Sequence, residues 1–149
     1  IDPQPGRNPL WQPQTPPSML PMAIERNTRQ RDAIRAAIVA AKRPLSPQEI
    51  LDAASDEVPG LGIATVYRAI KTLTEEKELA TVEVPGAQAR YEVAHLDHHH
   101  HFHCRTCDRV FEVEGCPGDL RRMTPRGFRT DHHEIILTGL CAGCVKAKK

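Results

Sequence analysis

The sequence predicts an α+β fold, in which a winged helix-turn-helix unit precedes a small α/β domain. Three segments with helical spacing of apolar residues come before two segments that alternate apolar and polar residues, the order expected of a winged helix-turn-helix. All eight histidines and all five cysteines follow Ala94. This change of composition marks a second domain, and a chain of 149 residues has room for two small ones.

Residues 1–21 are rich in proline and lack a periodic apolar pattern. They are therefore predicted to be a disordered tail or a cloning remnant, with Met22 a candidate for the native start. No stretch approaches the roughly 20 apolar residues that a transmembrane helix needs, and no secretory signal is recognisable. The default prediction is a cytoplasmic protein, where cysteine pairs favour metal binding over disulfides. The net charge of +1 does not by itself indicate nucleic-acid binding.

The first two helices are predicted from their start signals. Thr28 is the candidate N-cap of the first helix, and the apolar residues that follow at helical spacing are Ile34, Ala37, Ile38 and Ala41. The second helix has a stronger start. Ser46 is its N-cap, Pro47 occupies the first turn, and Glu49 completes a capping box.

The third helix follows the turn at residues 58–62 and is amphipathic. Its predicted core face carries Val66, Ile70 and Leu73. Its polar face carries Thr65, Tyr67, Arg68 and Lys71. The alternating segments "ELATVEV" and "ARYEV", on either side of Pro85 and Gly86, then predict a two-stranded hairpin.

The second domain is predicted to contain short strands at "HFHC", "RVFEVE" and "HEIILTGLC". The segment "GDLRRM" is predicted to form a short helix that ends before Pro125, because proline disrupts a helix interior.

Two CxxC pairs, Cys104 with Cys107 and Cys141 with Cys144, predict a structural zinc site. Four thiolates fill the tetrahedral shell of zinc and leave no position for a substrate. Redox-active or disulfide-forming pairs are the alternatives. The spacing of Cys116 matches neither pair, so it is predicted to be a free thiol and not a fifth ligand.

The run "HHHHFHC" is dense in metal-ligating side chains. If it is a strand, His98 and His100 face one way and the other three histidines, His99, His101 and His103, face the other, so one strand serves two sites. Further candidate ligands are Glu92, Glu112, Asp119, His132 and His133. Mixed imidazole and carboxylate sets suit Zn(II), Fe(II) or Mn(II). The alternative is that some histidines, above all His95, His103 and His132, are merely exposed.

Several segments together resemble the ferric uptake regulator family of bacterial metal-dependent repressors, over roughly residues 24 to 145. They are "TRQRDAI", "LSPQEI", "PGLGIATVYRAIKTL", "RYEV", "HHHHFHCRTCDRVFEVE" and "HEIILTGLCAGC". The resemblance implies a winged-helix DNA-binding domain at 22–92, a hinge at 93–97 and a dimerisation domain with a structural zinc at 98–149. It also implies a homodimer that binds a palindromic operator in double-stranded DNA.

The resemblance implies roles for individual residues. Tyr67 and Arg68 would lie on the recognition helix, while Arg29 or a neighbour would meet the DNA backbone or minor groove. By position, the family's sensing site corresponds to Glu92, His99, His101 and Glu112. Its second site corresponds to His98, His100, Asp119 and His133. The strand alternation divides the histidines into the same two sets.

The sequence departs from the family pattern near the second helix. Iron and peroxide sensors usually have a histidine just before the "LS" motif, where this chain has Arg43 and Pro44. Metal coupling is therefore expected to depend on Glu92, with His95 as a possible substitute, and peroxide sensing is not implied. The cysteine that zinc sensors often place near Glu92 is also absent.

Two other functions compete with a metal-responsive repressor. A metal-buffering or chaperone protein would need no DNA interface, and "ATVYRAIKTL" would then be an ordinary amphipathic helix. A zinc hydrolase would need an open coordination position and a general base such as Glu112 or Glu114. The sequence has no HExxH helix, so a non-enzymatic regulator is preferred.

Overall fold

The computed structural model describes residues 20–120 and 122–147. The elements in chain order are α1 (Leu20–Ala41), α2 (Pro47–Ser55), α3 (Ile63–Glu75), β1 (Leu79–Val82), β2 (Arg90–Val93), β3 (His100–Cys104), β4 (Val110–Val113), β5 (Ile136–Gly139) and α4 (Ala142–Ala147). In the described ranges, no helix combines the length and the apolarity that crossing a bilayer requires. The predicted tail, residues 1–21, lies outside this description apart from its last two residues, which belong to α1.

The predicted start of the first helix is wrong. Helix α1 begins at Leu20, eight residues before Thr28, so Thr28 is interior to the helix. Its hydroxyl donates to the carbonyl of Ile24, 3.0 Å away, one turn earlier. Inside a helix, a threonine hydroxyl can donate a hydrogen bond to the carbonyl four residues earlier. At a helix start, the same side chain can act as the N-cap. The sequence signal alone therefore did not separate the two roles.

The start of α2 confirms the predicted capping box. The Glu49 backbone N–H donates to the Ser46 hydroxyl at 3.2 Å, and the Ser46 N–H donates to the Glu49 carboxylate at 2.9 Å. Pro47 occupies the first turn. Two orphan N–H groups at the start of α2 are thereby satisfied, which stabilises the helix at this end.

The first three helices and β1 enclose an apolar core that includes the predicted stripe of α3. Val66 and Leu73 are fully buried there, beside Ile34 of α1 and Ile50 of α2. Strands β1 and β2 pair antiparallel, with Leu79 opposite Val93. This arrangement confirms the predicted winged helix-turn-helix, in which the hairpin is the wing.

The histidine- and cysteine-rich part folds around a three-stranded sheet in the order β4-β3-β5. Strand β3 pairs antiparallel with β4 and parallel with β5. The described residues of "GDLRRM" form a turn and not the predicted short helix, since the N–H groups of Met123 and Thr124 both donate to the Leu120 carbonyl. Helix α4, which begins directly after Cys141, was not predicted.

A buried arginine joins the wing to the three-stranded sheet. Arg90 of β2 is 2% exposed, and its guanidinium donates to both the carboxylate and the carbonyl oxygen of Asp108, each at 2.7 Å. A small apolar cluster of Val82, Val84 and Val110 lies across the same junction. The wing therefore connects the helices α1 to α3 to the sheet that carries the histidines.

Candidate metal centres and nucleic-acid face

The four cysteines of the two CxxC pairs converge on one point. Their sulfur atoms all lie within 4.8 Å of one another, with 3.7 Å between those of Cys107 and Cys141. Cys104 ends β3, and Cys144 lies in α4. A tetrahedral zinc with bonds of about 2.3 Å places its sulfur ligands about 3.8 Å apart. The four thiols fit a zinc ion in donor type, number and spacing.

Hydrogen bonding within this cluster favours one thiolate. Backbone N–H groups of Cys107 and Cys141 donate to the Cys104 sulfur and lower the pKa of Cys104 to about 5. Hydrogen bonding with the Cys141 sulfur, together with burial, raises the pKa of Cys144 to about 12. A cation that binds all four sulfurs must displace the remaining protons, so binding there releases protons.

A second cluster joins the wing to β3. The Nε2 atoms of His99 and His101 lie 3.2 Å and 3.1 Å from the carboxylate oxygens of Glu92, and 3.2 Å from each other. Burial lowers the pKa of His99, but the Asp97 carbonyl and the Glu92 carboxylate outweigh it, so the net shift is upward. All three side chains are at least 86% covered, with exposed fractions of 11% to 14%.

Glu112, the fourth residue predicted for this site, is an exposed cross-strand neighbour of His101 on β4. Its carboxylate is not among the ligand atoms that lie within 4.8 Å of one another in the Glu92 cluster. It is close enough to act on His99 electrostatically and to raise the pKa of that imidazole. The structure thus brings together three of the four predicted residues and leaves the fourth beside them.

A third cluster lies on the opposite face of β3. His98 and His133 approach each other with 3.2 Å between their Nε2 atoms, and the His100 ring centroid is 4.6 Å from that of His98. The fourth member is Cys116, whose sulfur lies 3.1 Å from His133 Nε2. Asp119, predicted for this position, is not one of the four grouped residues, although it lines a cavity together with His133.

The remaining histidines have other surroundings. His103 shares the face of His99 and His101 on β3, but its Nε2 lies 2.7 Å from a carboxylate oxygen of Asp108. His132 is exposed, with its ring centroid 6.3 Å from that of His98. His95, proposed as a substitute ligand, is exposed in the turn after β2 and belongs to none of the clusters formed by the described residues.

Arg43 is one of the two residues, with Pro44, that stand where the resemblance led us to expect a histidine. Its guanidinium donates to the Glu49 carboxylate at 2.7 Å, and its Cζ atom lies 5.9 Å from the ring centroid of Phe111 on β4. This permanent cation therefore contacts both the capping box of α2 and the sheet, by a charge pair and a cation–π contact.

The polar face of α3 is open to solvent, as the sequence predicts. Tyr67 is 47% exposed, and its hydroxyl accepts a hydrogen bond of 3.0 Å from Gln88 of the wing loop. Arg68 donates to the Thr65 hydroxyl at 3.1 Å, and Lys71 is exposed further along. Arginine and tyrosine on an exposed helix can contact base edges and phosphates in a major groove.

Arg29 lies on the exposed surface of α1, and with Arg26 it lines a depression beside the turn that precedes α3. An adjoining cleft between α1 and α3 is lined by Arg26, Arg31 and Arg68. Arg31 is paired with Glu76 at 3.2 Å, and the other guanidinium groups on this side of a nearly neutral chain favour an anionic backbone.

Two residues of these sites were missed at the level of sequence. Cys116 matches no CxxC spacing, and only its position between Gly115 and Pro117-Gly118 indicates a tight loop. Arg90 looks like an ordinary strand arginine in "RYEV", yet it is almost fully buried. No local pattern predicts that either side chain meets a partner far away in the chain.

Comparison with known proteins is consistent with this architecture. Residues 24–138 match the model of the ferric uptake regulator family. The transcriptional regulator FurA of Mycobacterium tuberculosis is 31% identical over 122 residues, which cover 80% of this chain and 82% of FurA. The ferric uptake regulation protein of Campylobacter jejuni is 27% identical over 126 residues, covering 81% and 80%. The solved structure of the Helicobacter pylori ferric uptake regulator has a TM-score of 0.65 at 24% identity, covering 87% of this chain and 91% of that one.

Proposed function

The chain belongs to the ferric uptake regulator family, and from that premise we propose that it represses genes of metal uptake and homeostasis by binding their operators when metal-loaded. It is a metal-responsive transcriptional regulator, and regulators of this family are transcription factors, not enzymes. The observation that carries the proposal is the cluster of Glu92, His99 and His101. It joins the wing of the DNA-binding fold to the sheet.

The four-cysteine cluster is proposed to hold a structural zinc. Its donors suit zinc, and a site filled by four sulfurs has no open position for substrate. Cys104 ends β3 and Cys144 lies in α4, so the ligands fasten the C-terminal helix to the sheet. This role needs no exchange of the metal during regulation.

The Glu92 cluster, with Glu112 beside it, is proposed as the sensing site for Zn(II), Fe(II) or Mn(II). One carboxylate and two neutral imidazoles provide the oxygen and nitrogen ligands that such a divalent cation accepts. Glu92 belongs to β2, while His101 belongs to β3 and His99 directly precedes it. These residues can satisfy one ion together only while the wing and the sheet keep their relative orientation. Metal therefore favours that arrangement, and linkage requires DNA bound to the same arrangement to raise metal affinity.

Operator contact is proposed for the exposed residues of α3 and for Arg29 of α1. Arg68 suits bidentate recognition of guanine, Tyr67 suits a phosphate or a thymine methyl, and Lys71 suits phosphate. Thr65 orients Arg68 through the hydrogen bond between them. The cleft arginines beside α3 add charge that attracts the duplex irrespective of sequence.

We also propose that a cytoplasmic homodimer is the species that binds a palindromic operator. Strand β5 is at the edge of the three-stranded sheet, and Leu137 on it is 48% exposed. An exposed edge with apolar side chains is a surface that a second copy can cover. Two recognition helices related by a two-fold axis would read the two halves of a palindrome.

A metal titration under anaerobic conditions tests this function. Protein that retains its tight zinc but lacks exchangeable metal is titrated with Zn(II), Fe(II) or Mn(II), while fluorescence anisotropy follows binding to a palindromic AT-rich duplex. We expect one metal to raise operator affinity by about 5- to 150-fold, the usual scale of such coupling. A scrambled duplex controls for charge-driven binding. Equal affinity with and without every metal would contradict the proposal.

A further inference from the structure

We propose that Cys116 is a metal ligand, and that with His98, His100 and His133 it forms a zinc site of one thiolate and three imidazoles. The inference rests on the proposed function, in that it assigns a ligand and a preferred metal to the second regulatory site. It differs from the ligand set that the resemblance implies, where Asp119 is the fourth donor.

The loop that follows β4 delivers the Cys116 sulfur to the histidines. Gly115 and Gly118 have positive φ angles of 90° and 77°, a backbone conformation that glycine adopts without strain. The chain therefore turns sharply on both sides of Cys116. The sulfur reaches 3.1 Å from His133 Nε2, and the Gly118 N–H donates to it at 3.4 Å.

His100 gives an independent indication of a ligand. It is 2% exposed, and neither of its ring nitrogens has a hydrogen-bond partner among the described residues. Buried polar groups in native proteins almost always have partners, because an unsatisfied one costs about 1 to 3 kcal/mol. The His100 ring centroid lies 4.6 Å from that of His98 and 5.0 Å from that of His133. An ion between these groups would satisfy one of the two ring nitrogens of His100.

The four donor atoms converge in the manner of a ligand set. The Nε2 atom of His133 lies 3.2 Å from His98 Nε2 and 3.1 Å from the Cys116 sulfur, so three ligand atoms meet closely. The four ligand atoms, one of them from His100, all lie within 4.8 Å of one another. If these side chains formed only a hydrogen-bond network, pairwise contacts would be enough. The ring nitrogens of His100 would then be expected to have hydrogen-bond partners, and neither has one among the described residues.

The donor set decides the preferred metal. Thiolate ligands shift preference toward softer ions, whereas carboxylates favour Mn(II) and other hard ions. Zinc binds mixed cysteine and histidine sets in proteins. Replacement of the expected carboxylate by Cys116 therefore favours Zn(II) over Mn(II) or Fe(II) at this site, whatever metal binds at Glu92.

Cobalt substitution tests whether Cys116 binds metal. Full-length protein that retains zinc in the four-cysteine site is titrated anaerobically with Co(II), without DNA. We expect a near-ultraviolet sulfur-to-cobalt charge-transfer band in the wild type and its loss in Cys116→Ser. Zinc bound to the four cysteines gives no such band, because its d shell is full. The released zinc is measured in parallel, so that cobalt entering the four-cysteine site is recognised.

Zinc affinity provides a second readout with a matched control. In competition with a chromophoric chelator, Cys116→Ser is expected to weaken the second site by at least about tenfold, and Asp119→Asn is expected to weaken it less. Cys116 is exposed, so serine removes no core packing. The proposal is overturned if the wild type lacks the band, if Cys116→Ser retains it, or if Asp119→Asn has the larger effect. Operator binding does not enter these readouts, so failure of the proposed function would be seen separately.

Discussion

The helical unit, α1 to β2, and the sheet unit, β3 to α4, have interiors of different chemistry. The helical unit encloses a cluster of eleven buried apolar residues. In the sheet unit the buried residues among those described are His100, Cys104 and Val110. Two of these three carry ligand atoms, and Val110 packs against the wing. Apolar burial therefore stabilises the first unit, whereas the second depends on what its thiols and imidazoles bind.

This difference suits a metal sensor. In the proposed function, metal orders or reorients the sheet unit without unfolding the helical unit, because the apolar core of the helical unit contains no ligand and Glu92 lies outside that core, on β2. The buried pair of Arg90 with Asp108 is a contact between the units that needs no metal. In the proposed function, metal strengthens another contact, that of Glu92 with His99 and His101. In the proposed function, the helical unit supplies the operator surface, and the sheet unit supplies the response to metal.

The largest expected effect is that of removing the structural zinc. Structural zinc contributes about 10 kcal/mol or more to folding in small zinc domains, so its extraction by a strong chelator should unfold β3, β4, β5 and α4. Helices α1 to α3 should keep their structure, which far-ultraviolet circular dichroism and limited proteolysis would detect. Re-addition of zinc is the control. Simultaneous loss of the helical unit would contradict the separation of the two interiors.

Truncation of a buried apolar side chain should destabilise the helical unit and leave the zinc site of the sheet unit in place. Leu73 is fully buried, and Leu73→Ala should lower the free energy of unfolding of this unit by about 2 to 5 kcal/mol. Val39→Ala, at a site that is 48% exposed, is the matched control and should change it by at most about 0.5 kcal/mol. Urea denaturation measures both. If Leu73→Ala keeps its zinc stoichiometry, the two interiors are stabilised separately. Loss of zinc in this variant would contradict that separation.

The junction between the units should show an intermediate effect. Asp108→Ala leaves the buried Arg90 guanidinium with backbone carbonyl partners alone, at an expected cost of about 1 to 3 kcal/mol. Arg129→Ala, which breaks an exposed ion pair with Asp131, should cost almost nothing. Thermal denaturation with zinc retained compares the two variants. Equal stability of both would show that Arg90 does not stabilise the junction.

The smallest expected effect concerns the capping box, and it depends on pH. Burial opposes ionisation of Glu49, but Arg43 and the Ser46 backbone outweigh it and lower the Glu49 pKa. Because the pKa is lowered on folding, the carboxylate stabilises fully above the ordinary value of about 4.3, and this contribution is lost as pH falls through the folded pKa.

Glu49→Gln should therefore cost about 1 kcal/mol near neutral pH and progressively less in acid. Ser46→Ala is the control. It should cost about 1 kcal/mol with little pH dependence over the same range, since it leaves the pair of Glu49 with Arg43 in place. A pH-independent effect of Glu49→Gln would contradict the assigned role of the charge.

Local patterns predicted most of the fold. The capping box at Ser46, the apolar stripe ending at Leu73 and the alternation of the wing strands each arise from near neighbours in sequence, and each is observed. The start of α1 could not be read from Thr28, because a threonine hydroxyl serves equally at a helix start and inside a helix.

The ligand clusters were predictable where a spacing motif or strand periodicity determined them, as the two CxxC pairs show. Strand alternation separates His98 and His100 from His99 and His101, and the structure places these pairs in different clusters. Cys116 approaches His133 through a loop with two positive-φ glycines, so its position depends on tertiary structure that no spacing rule describes.

The most direct test of the coupling between the two units is metal affinity measured with and without operator. Competition with a chromophoric chelator gives the affinity of wild type and of Glu92→Gln for the metal that most strengthens operator binding. We expect the operator to raise wild-type metal affinity by about 5- to 150-fold, equal to the effect of metal on operator affinity, and to leave Glu92→Gln nearly unchanged. The same operator-dependent gain in Glu92→Gln would contradict the claim that Glu92 links the wing to the sheet.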